Sequence, residues 1–207
     1  MFVKVCGLRT ALDVATAVGS GADAVGFVLT PSPRQVDVRL VRSLAVDVPP
    51  RVLTVGVFRG EPVETVAEMA MEAGVDAVQL HGAYGSSDYR SLGQLTLKLI
   101  RATRPGTGVL VRCGHYGEDM LVVDSLTPGS GQVWDWESVG ERPTGRWMLA
   151  GGLRVENVRH AIAVLSPWGV DVSSGVELGR GVKSPSLIRA FVLEAKASAG
   201  LSPGPGL

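Results

Sequence analysis

Protonatable side chains recur in this chain where short apolar runs give way to glycine or to small polar residues. Cys6 closes the run Val3-Lys4-Val5-Cys6 just before Gly7, and His81 stands in the same relation to its own run in Gln79-Leu80-His81-Gly82. Asp124 follows the run from Met120 to Val123, and Asp171 lies within the run ending at Val172. Thiol, carboxyl and imidazole groups can all move protons near neutral pH once their surroundings shift them, so general acid-base chemistry is the class these residues suit. A lone cysteine is also a small buried hydrophobe, and Cys6 taken alone is as well explained by packing.

Two further strand-end segments suit an anion. Ala150-Gly151-Gly152-Leu153 and Val172-Ser173-Ser174-Gly175-Val176 put small residues just ahead of helical patterns, where backbone N–H groups and the positive end of a helix converge on a phosphate. The competing reading is that Gly151, Gly152 and Gly175 only make tight turns. It loses ground if the segments lie side by side at one end of a barrel.

The elements that must position these groups are legible as periodicity. Short apolar, β-rich runs cover Val3 to Cys6, Ala24 to Leu29, Leu53 to Phe58, Ala77 to Leu80, Leu97 to Ile100, Met120 to Val123, Trp147 to Ala150 and Val170 to Val172. Between them, Ala11 to Val18, Pro62 to Ala73 and Asn157 to Leu165 repeat apolar residues at three and four positions, as a helix with one buried face does. Fully apolar strands alternating with helices predict a parallel sheet covered outside, and eight units predict a (βα)8 barrel, with an open doubly wound sheet as the alternative. The fifth unit is the weakest, because Pro105, Gly106, Gly108 and Gly114 interrupt any helix between Ile100 and Met120. Residues 1–197 are expected to form one domain, and residues 198–207, with the composition of a frayed end, a flexible tail.

Bulk properties narrow the partners. The chain has 207 residues, close to the lower size of a complete eightfold barrel, with 20 basic and 20 acidic side chains. A net charge of zero gives no general attraction to nucleic acid or to an anionic membrane, so neither is an expected partner. No apolar stretch approaches the ~18 residues of a membrane span. Two cysteines, Cys6 and Cys113, form neither a disulfide framework nor a metal-ligand spacing, which fits a cytoplasmic protein.

The segments Lys4-Val5-Cys6-Gly7, Gly21-Ala22-Asp23-Ala24-Val25-Gly26-Phe27-Val28, Ser32-Pro33-Arg34, Val55-Gly56-Val57-Phe58, Val78-Gln79-Leu80-His81-Gly82 and Asp171-Val172-Ser173-Ser174-Gly175-Val176-Glu177 resemble phosphoribosylanthranilate isomerase in order and spacing across nearly the whole chain. The resemblance implies a (βα)8 barrel that catalyses an Amadori rearrangement in tryptophan biosynthesis: N-(5-phosphoribosyl)anthranilate becomes 1-(2-carboxyphenylamino)-1-deoxyribulose 5-phosphate. It implies no metal or organic cofactor, a small phosphoribosyl substrate, and a monomer or homodimer. By the same resemblance Cys6 is the general base, Asp124 the general acid, and Arg34 the cation facing the anthranilate carboxylate. His81 and Asp171 touch the substrate or orient its neighbours, while Gly151, Gly152, Ser173, Ser174 and Gly175 hold the phosphate.

That assignment sets two electrostatic requirements. A thiol of reference pKa ~8.5 needs surroundings that favour the thiolate, and a carboxyl of reference pKa ~3.9 needs burial or nearby negative charge to keep a proton. No neighbour in the sequence is identified as the partner of the thiolate. Two departures from the family stand out: the loop after Asp124, Ser125 to Trp136, is several residues short, and the loop before Ser32 is about a residue short. The competing readings are an aldose-ketose isomerase of the histidine pathway, whose enzymes carry aspartate where this chain has Cys6, and a degenerate barrel that binds a phosphosugar without turning it over. Indole-glycerol-phosphate synthase is disfavoured, because no lysine and glutamate set occupies the strand ends. His115 and His160 fall in a loop and on a helix and are read as structural or solvated.

Overall fold

The computed structural model describes residues 1–104, 112–125 and 142–198. Eight parallel strands close into a barrel in sequence order: β1 (Phe2–Cys6), β2 (Ala24–Val28), β3 (Leu53–Arg59), β4 (Ala77–His81), β5 (Lys98–Thr103), β6 (Met120–Val123), β7 (Trp147–Leu149) and β8 (Gly169–Val172). The ring is sealed by β1 on β8, with Val3 opposite Val170 and Lys4 opposite Asp171. The barrel expected from the eight runs is therefore the observed fold, and the open sheet is excluded.

Alternation along each strand divides the apolar residues into two cores, because successive side chains point to opposite faces. Inward positions such as Ala24, Val55, Ala77, Ile100, Met120, Val122 and Met148 fill the barrel, with Phe2 and Trp168 stacked at 4.5 Å near its lower end. Outward positions such as Val3, Val5, Val25, Phe27, Val78, Leu80 and Leu121 pack beneath the helices. Those helices are α1 (Ala11–Gly19), α2 (Val38–Ala45), α3 (Val63–Ala73), α4 (Ser86–Leu92), α5 (Val158–Leu165) and α6 (Pro185–Ala197). Thr10, Asp37 and Ser184 cap α1, α2 and α6 by accepting an amide hydrogen bond three residues on.

The lower rim uses one device three times. Asp23 Oδ2 accepts from the Val3 amide at 2.7 Å, Asp76 Oδ2 from the Thr54 amide at 2.9 Å, and Asp119 Oδ2 from the Leu99 amide at 2.8 Å. Each acid precedes an even-numbered strand and satisfies an amide near the start of the strand before it, so these carboxylates are structural. Lys196 on α6 adds a 2.6 Å bond to Asp23 and one to the Met1 carbonyl, fastening the last helix to the first strand.

Between β5 and β6 the described residues contain turns and no helix, as the glycines and Pro105 predict. The expectation of a shortened loop after Asp124 falls almost wholly on residues 126–141, outside the described residues, as do residues 199–207 of the expected tail. Ser198, its first residue, caps α6. One segment departs from the sequence reading. The helix expected over Asn157 to Leu165 is α5, Val158–Leu165, but the helical pattern expected directly after Ser173-Ser174-Gly175 is a single 3-10 turn, Ser174–Val176. That turn is followed by a small hairpin, β9 (Glu177–Gly179) and β10 (Val182–Lys183), before α6 begins. Among the described residues no helix is long and apolar enough to cross a membrane.

Candidate active site

The carboxyl ends of the strands surround one pocket. Its wall includes Cys6 from β1, Arg34 from the loop after β2, Gln79 and His81 from β4, Asp124 after β6, Gly151 and Gly152 after β7, and Asp171, Ser173 and Ser174 from β8 onward. Nine of the ten residues singled out in the sequence thus meet there although up to 168 positions separate them. Gly175 does not line it. A Cβ at Gly175 would collide with the Leu153 carbonyl and stand 3.1 Å from Arg154 Cα, so this glycine lets the two candidate phosphate loops pack against each other.

Cys6 and Lys4 share the inward face of β1, two residues apart. Lys4 is completely buried, and its Nζ lies 3.0 Å from Asp171 Oδ1 on the adjoining strand. Gly26 of β2 makes room for them: a Cβ there would stand 3.0 Å from Cys6 Sγ and 3.1 Å from Lys4 Nζ. Burial holds the Cys6 thiol above its ordinary value, an upward push that Lys4 offsets only in part and to which Asp171 adds. Lys4 is therefore the partner that sequence reading did not identify. Its signal was the period of two along the strand.

Asp124 has the opposite environment. Burial lifts its carboxyl to about 6, against a hydrogen bond from the Ser125 amide and with a further push from Asp171. The carbonyl end of β7 closes over it, for a Cβ on Gly151 would lie 2.8 Å from Asp124 Oδ1 and 2.6 Å from the Ser125 nitrogen. Gly151 also has φ near +84°, a backbone that glycine alone adopts without strain. His81 is pushed down to about 4, first by burial and then by Lys4, Arg59 and Arg104, so its ring is neutral across the physiological range. The Gln79 amide reaches its Nε2 at 2.6 Å.

A buried charge network ties the eighth loop to the first strand. Arg34 meets Glu177 with Nε at 2.6 Å and Nη2 at 2.9 Å. Lys183 Nζ donates to Glu177 Oε1 at 2.7 Å and to the Ser173 carbonyl at 2.8 Å, and the Ser173 hydroxyl donates to the Cys6 carbonyl at 3.1 Å. The arginine foreseen as a substrate contact is thus first a member of this network, with one edge of its guanidinium committed to Glu177 and Nη1 left for a second anion. Glu177 was missed because its partner Arg34 lies 143 positions away on the loop after β2, and Lys183 because only the hairpin after β8 turns it back onto Glu177 and Ser173. His115 lies in a turn against Tyr116, and His160 sits on the exposed face of α5.

A rim with a thiol above a buried lysine, a carboxyl held near neutrality and paired glycine and serine loops has counterparts among known proteins. A sequence model of N-(5'-phosphoribosyl)anthranilate (PRA) isomerase matches residues 3–194. The chain belongs to this isomerase family. The N-(5'-phosphoribosyl)anthranilate isomerase of Desulforudis audaxviator is 40% identical over 200 residues, covering 94% of this chain and 97% of that protein. That of Rubrobacter xylanophilus is 41% identical over 203 residues, covering 94% and 98%. In three dimensions the chain resembles the crystal structure of TrpF from Jonesia denitrificans, with a TM-score of 0.87, 40% identity, and coverage of 96% and 98%. Membership in the isomerase family agrees with the resemblance carried by the sequence motifs and disfavours the histidine-pathway alternative.

Proposed function

We propose that the chain catalyses the Amadori rearrangement of N-(5-phosphoribosyl)anthranilate in tryptophan biosynthesis, with Cys6 as general base and Asp124 as general acid. The observation that carries this reading is the pairing, in one pocket, of a thiol beside a buried ammonium and a carboxyl raised to about 6. Asp124 protonates the furanose ring oxygen, which breaks the C1–O bond and leaves an iminium between C1 and the anthranilate nitrogen. The Cys6 thiolate then removes the proton on C2. The C2–H pair becomes a C1=C2 double bond, the iminium pair returns to nitrogen, and tautomerisation of the enolamine gives the ketose. Proton transfer by each residue contributes about 10² to 10⁴ in rate.

Binding follows the same geometry. Ser173, Ser174, Gly151 and Gly152 offer hydroxyls and backbone N–H groups to the phosphate, while Gly175 keeps the two loops in contact. Arg34 turns its Nη1 edge to the anthranilate carboxylate. His81, neutral, and Asp171 contact the sugar hydroxyls or orient the residues that do. A solved relative, 33% identical with a TM-score of 0.79, is described as phosphoribosyl anthranilate isomerase in complex with reduced 1-(o-carboxyphenylamino)-1-deoxyribulose 5-phosphate. Another is described as generated monomers of the dimeric enzyme from Thermotoga maritima. All the groups named for this site come from one chain, so it can act as a monomer or a homodimer, in the cytoplasm and without a cofactor.

The test is to generate the unstable substrate from anthranilate and phosphoribosyl pyrophosphate with the preceding transferase and follow the decay of its fluorescence. Accelerated decay with this protein is expected. A decay no faster than without it, or turnover confined to an aldose substrate of the histidine pathway run in parallel, would overturn the assignment.

A further inference from the structure

Lys4 is a charged side chain with no access to solvent, buried inside the barrel one strand-step below the thiol. Its Nζ lies 3.0 Å from Asp171 Oδ1, and its charge acts on Cys6. A buried lysine of this kind is costly, and a purely structural core would do as well with a methionine. Gly26 gives up its side chain on the facing strand for the same space, since a Cβ there would press on both Cys6 Sγ and Lys4 Nζ. Two residues and a glycine are therefore committed to placing an ammonium against the sulfur.

We propose that Lys4 is the positioning residue for the reaction's base: its ammonium, kept charged by Asp171, is the counter-ion of the Cys6 thiolate that removes the C2 proton. This rests on the isomerase reading above. The proton balance is complete within the site. Before the transfer the ammonium faces a thiolate; the sulfur lone pair takes the C2 proton, and the ammonium then faces a neutral thiol while the iminium charge disappears. The thiolate re-forms when that proton returns to the substrate at C1 or passes to water.

The surrounding charges agree with the assignment. Burial opposes the charge on Lys4, but Asp171 and Cys6 outweigh it and hold the ammonium above the ordinary lysine range. Around the sulfur, burial raises the thiol above its ordinary value; Lys4 from β1 and Lys183 from β10 pull it back toward the thiolate, and Asp171 from β8 adds to the rise. Arg34, from the loop after β2, also feels the Cys6 charge. Asp124 after β6 and neutral His81 from β4 share the pocket, and each senses Lys4. β2 presents Gly26, which is uncharged. Lys4 is the one cation on the strand of Cys6 itself, so its distance to the sulfur is set by the backbone.

The test reads Cys6 without substrate, in a C113S background that leaves one thiol. Thiolate absorbance and the rate of alkylation by iodoacetamide are followed against pH. The variant K4M is expected to move the midpoint upward by about one pH unit or more, which is about tenfold less thiolate at a fixed pH. K4R is expected to restore most of it. In turnover, K4M lowers kcat far more than it raises KM, and one limb of the kcat/KM profile moves with the thiolate. A K4M protein with native circular dichroism and an unchanged midpoint would overturn the proposal. If K4M does not fold, K4Q decides, and an unchanged midpoint in folded K4Q would contradict it. Because the thiolate titration needs no substrate, its result stands apart from the result of the isomerase assay.

Discussion

Glu177 holds Arg34 by both oxygens, at 2.6 and 2.9 Å, in a pair that is almost sealed from solvent. The same carboxylate accepts from Lys183 and from the Gly181 amide, so one acid fixes the loop after β2 and the hairpin after β8 relative to the barrel. Replacing it by alanine leaves two buried cations without a counter-charge. E177A is expected to cost about 3–5 kcal/mol in denaturant unfolding and to raise KM more than it lowers kcat.

The pH dependence of that pair has a definite sign. Burial would raise the Glu177 carboxyl, but hydrogen bonds from Arg34 and Lys183 hold it at about 2, against an ordinary value of 4.5. A depressed carboxyl stabilises the fold above its unfolded value and loses that contribution as pH falls through the folded one. Native protein is therefore expected to lose stability between pH 4.5 and about 2 relative to E177Q, measured by urea unfolding at a series of pH values.

Asp124 has the reverse linkage. Its carboxyl is raised from 3.8 to about 6, so its contribution to stability is fully present below 3.8 and is lost as pH rises through about 6. D124N keeps the burial without the charge. Between pH 4 and 8 the native protein should lose on the order of 2–3 kcal/mol relative to this variant. One limb of the native kcat/KM profile should centre near the same pH of about 6.

Gly151 is the residue whose side chain would strike the acid. G151A places a methyl 2.8 Å from Asp124 Oδ1 at φ near +84°. Backbone strain of this kind costs about 1–3 kcal/mol. We expect a kcat loss of about 10²-fold, larger than that stability loss alone would give, because a 1 Å displacement of a reacting group is enough for it. A stopped-flow measurement at saturating substrate separates this from weaker binding.

Much of this arrangement was readable from the chain alone. Eight apolar runs located the strands to within a few residues at most, since a fully buried parallel strand is nearly continuous in Val, Leu and Ile. Strand-end position then selected Cys6, Asp124, His81 and Asp171. Lys4 was readable in principle, because a lysine two residues before Cys6 on a buried strand must share its face. Its partner Asp171 is 167 residues away and becomes visible only when β8 closes on β1. Glu177 was hidden in the same way, its partner Arg34 being 143 residues away, Lys183 because only the hairpin after β8 turns it back onto Glu177, and Gly175 because its role depends on how closely two loops approach. The helix start after β8 was placed too early, since glycine and serine mark a turn without fixing how many residues it takes.

His81 offers a spectroscopic check on the interior. Held down to about 4 by burial and by the cations Lys4, Arg59 and Arg104, its ring resonances should not move between pH 6 and 9. Titration near 6.5 would show that the pocket is less enclosed than the structure has it.

The most direct measurement compares native protein, C6A and D124N in the coupled fluorescence assay at equal concentration, with circular dichroism confirming each fold. Native protein should accelerate the decay, and each substitution should lower kcat by at least about 10²-fold. Undiminished turnover by folded C6A or folded D124N would contradict the assignment of the proton-transfer pair.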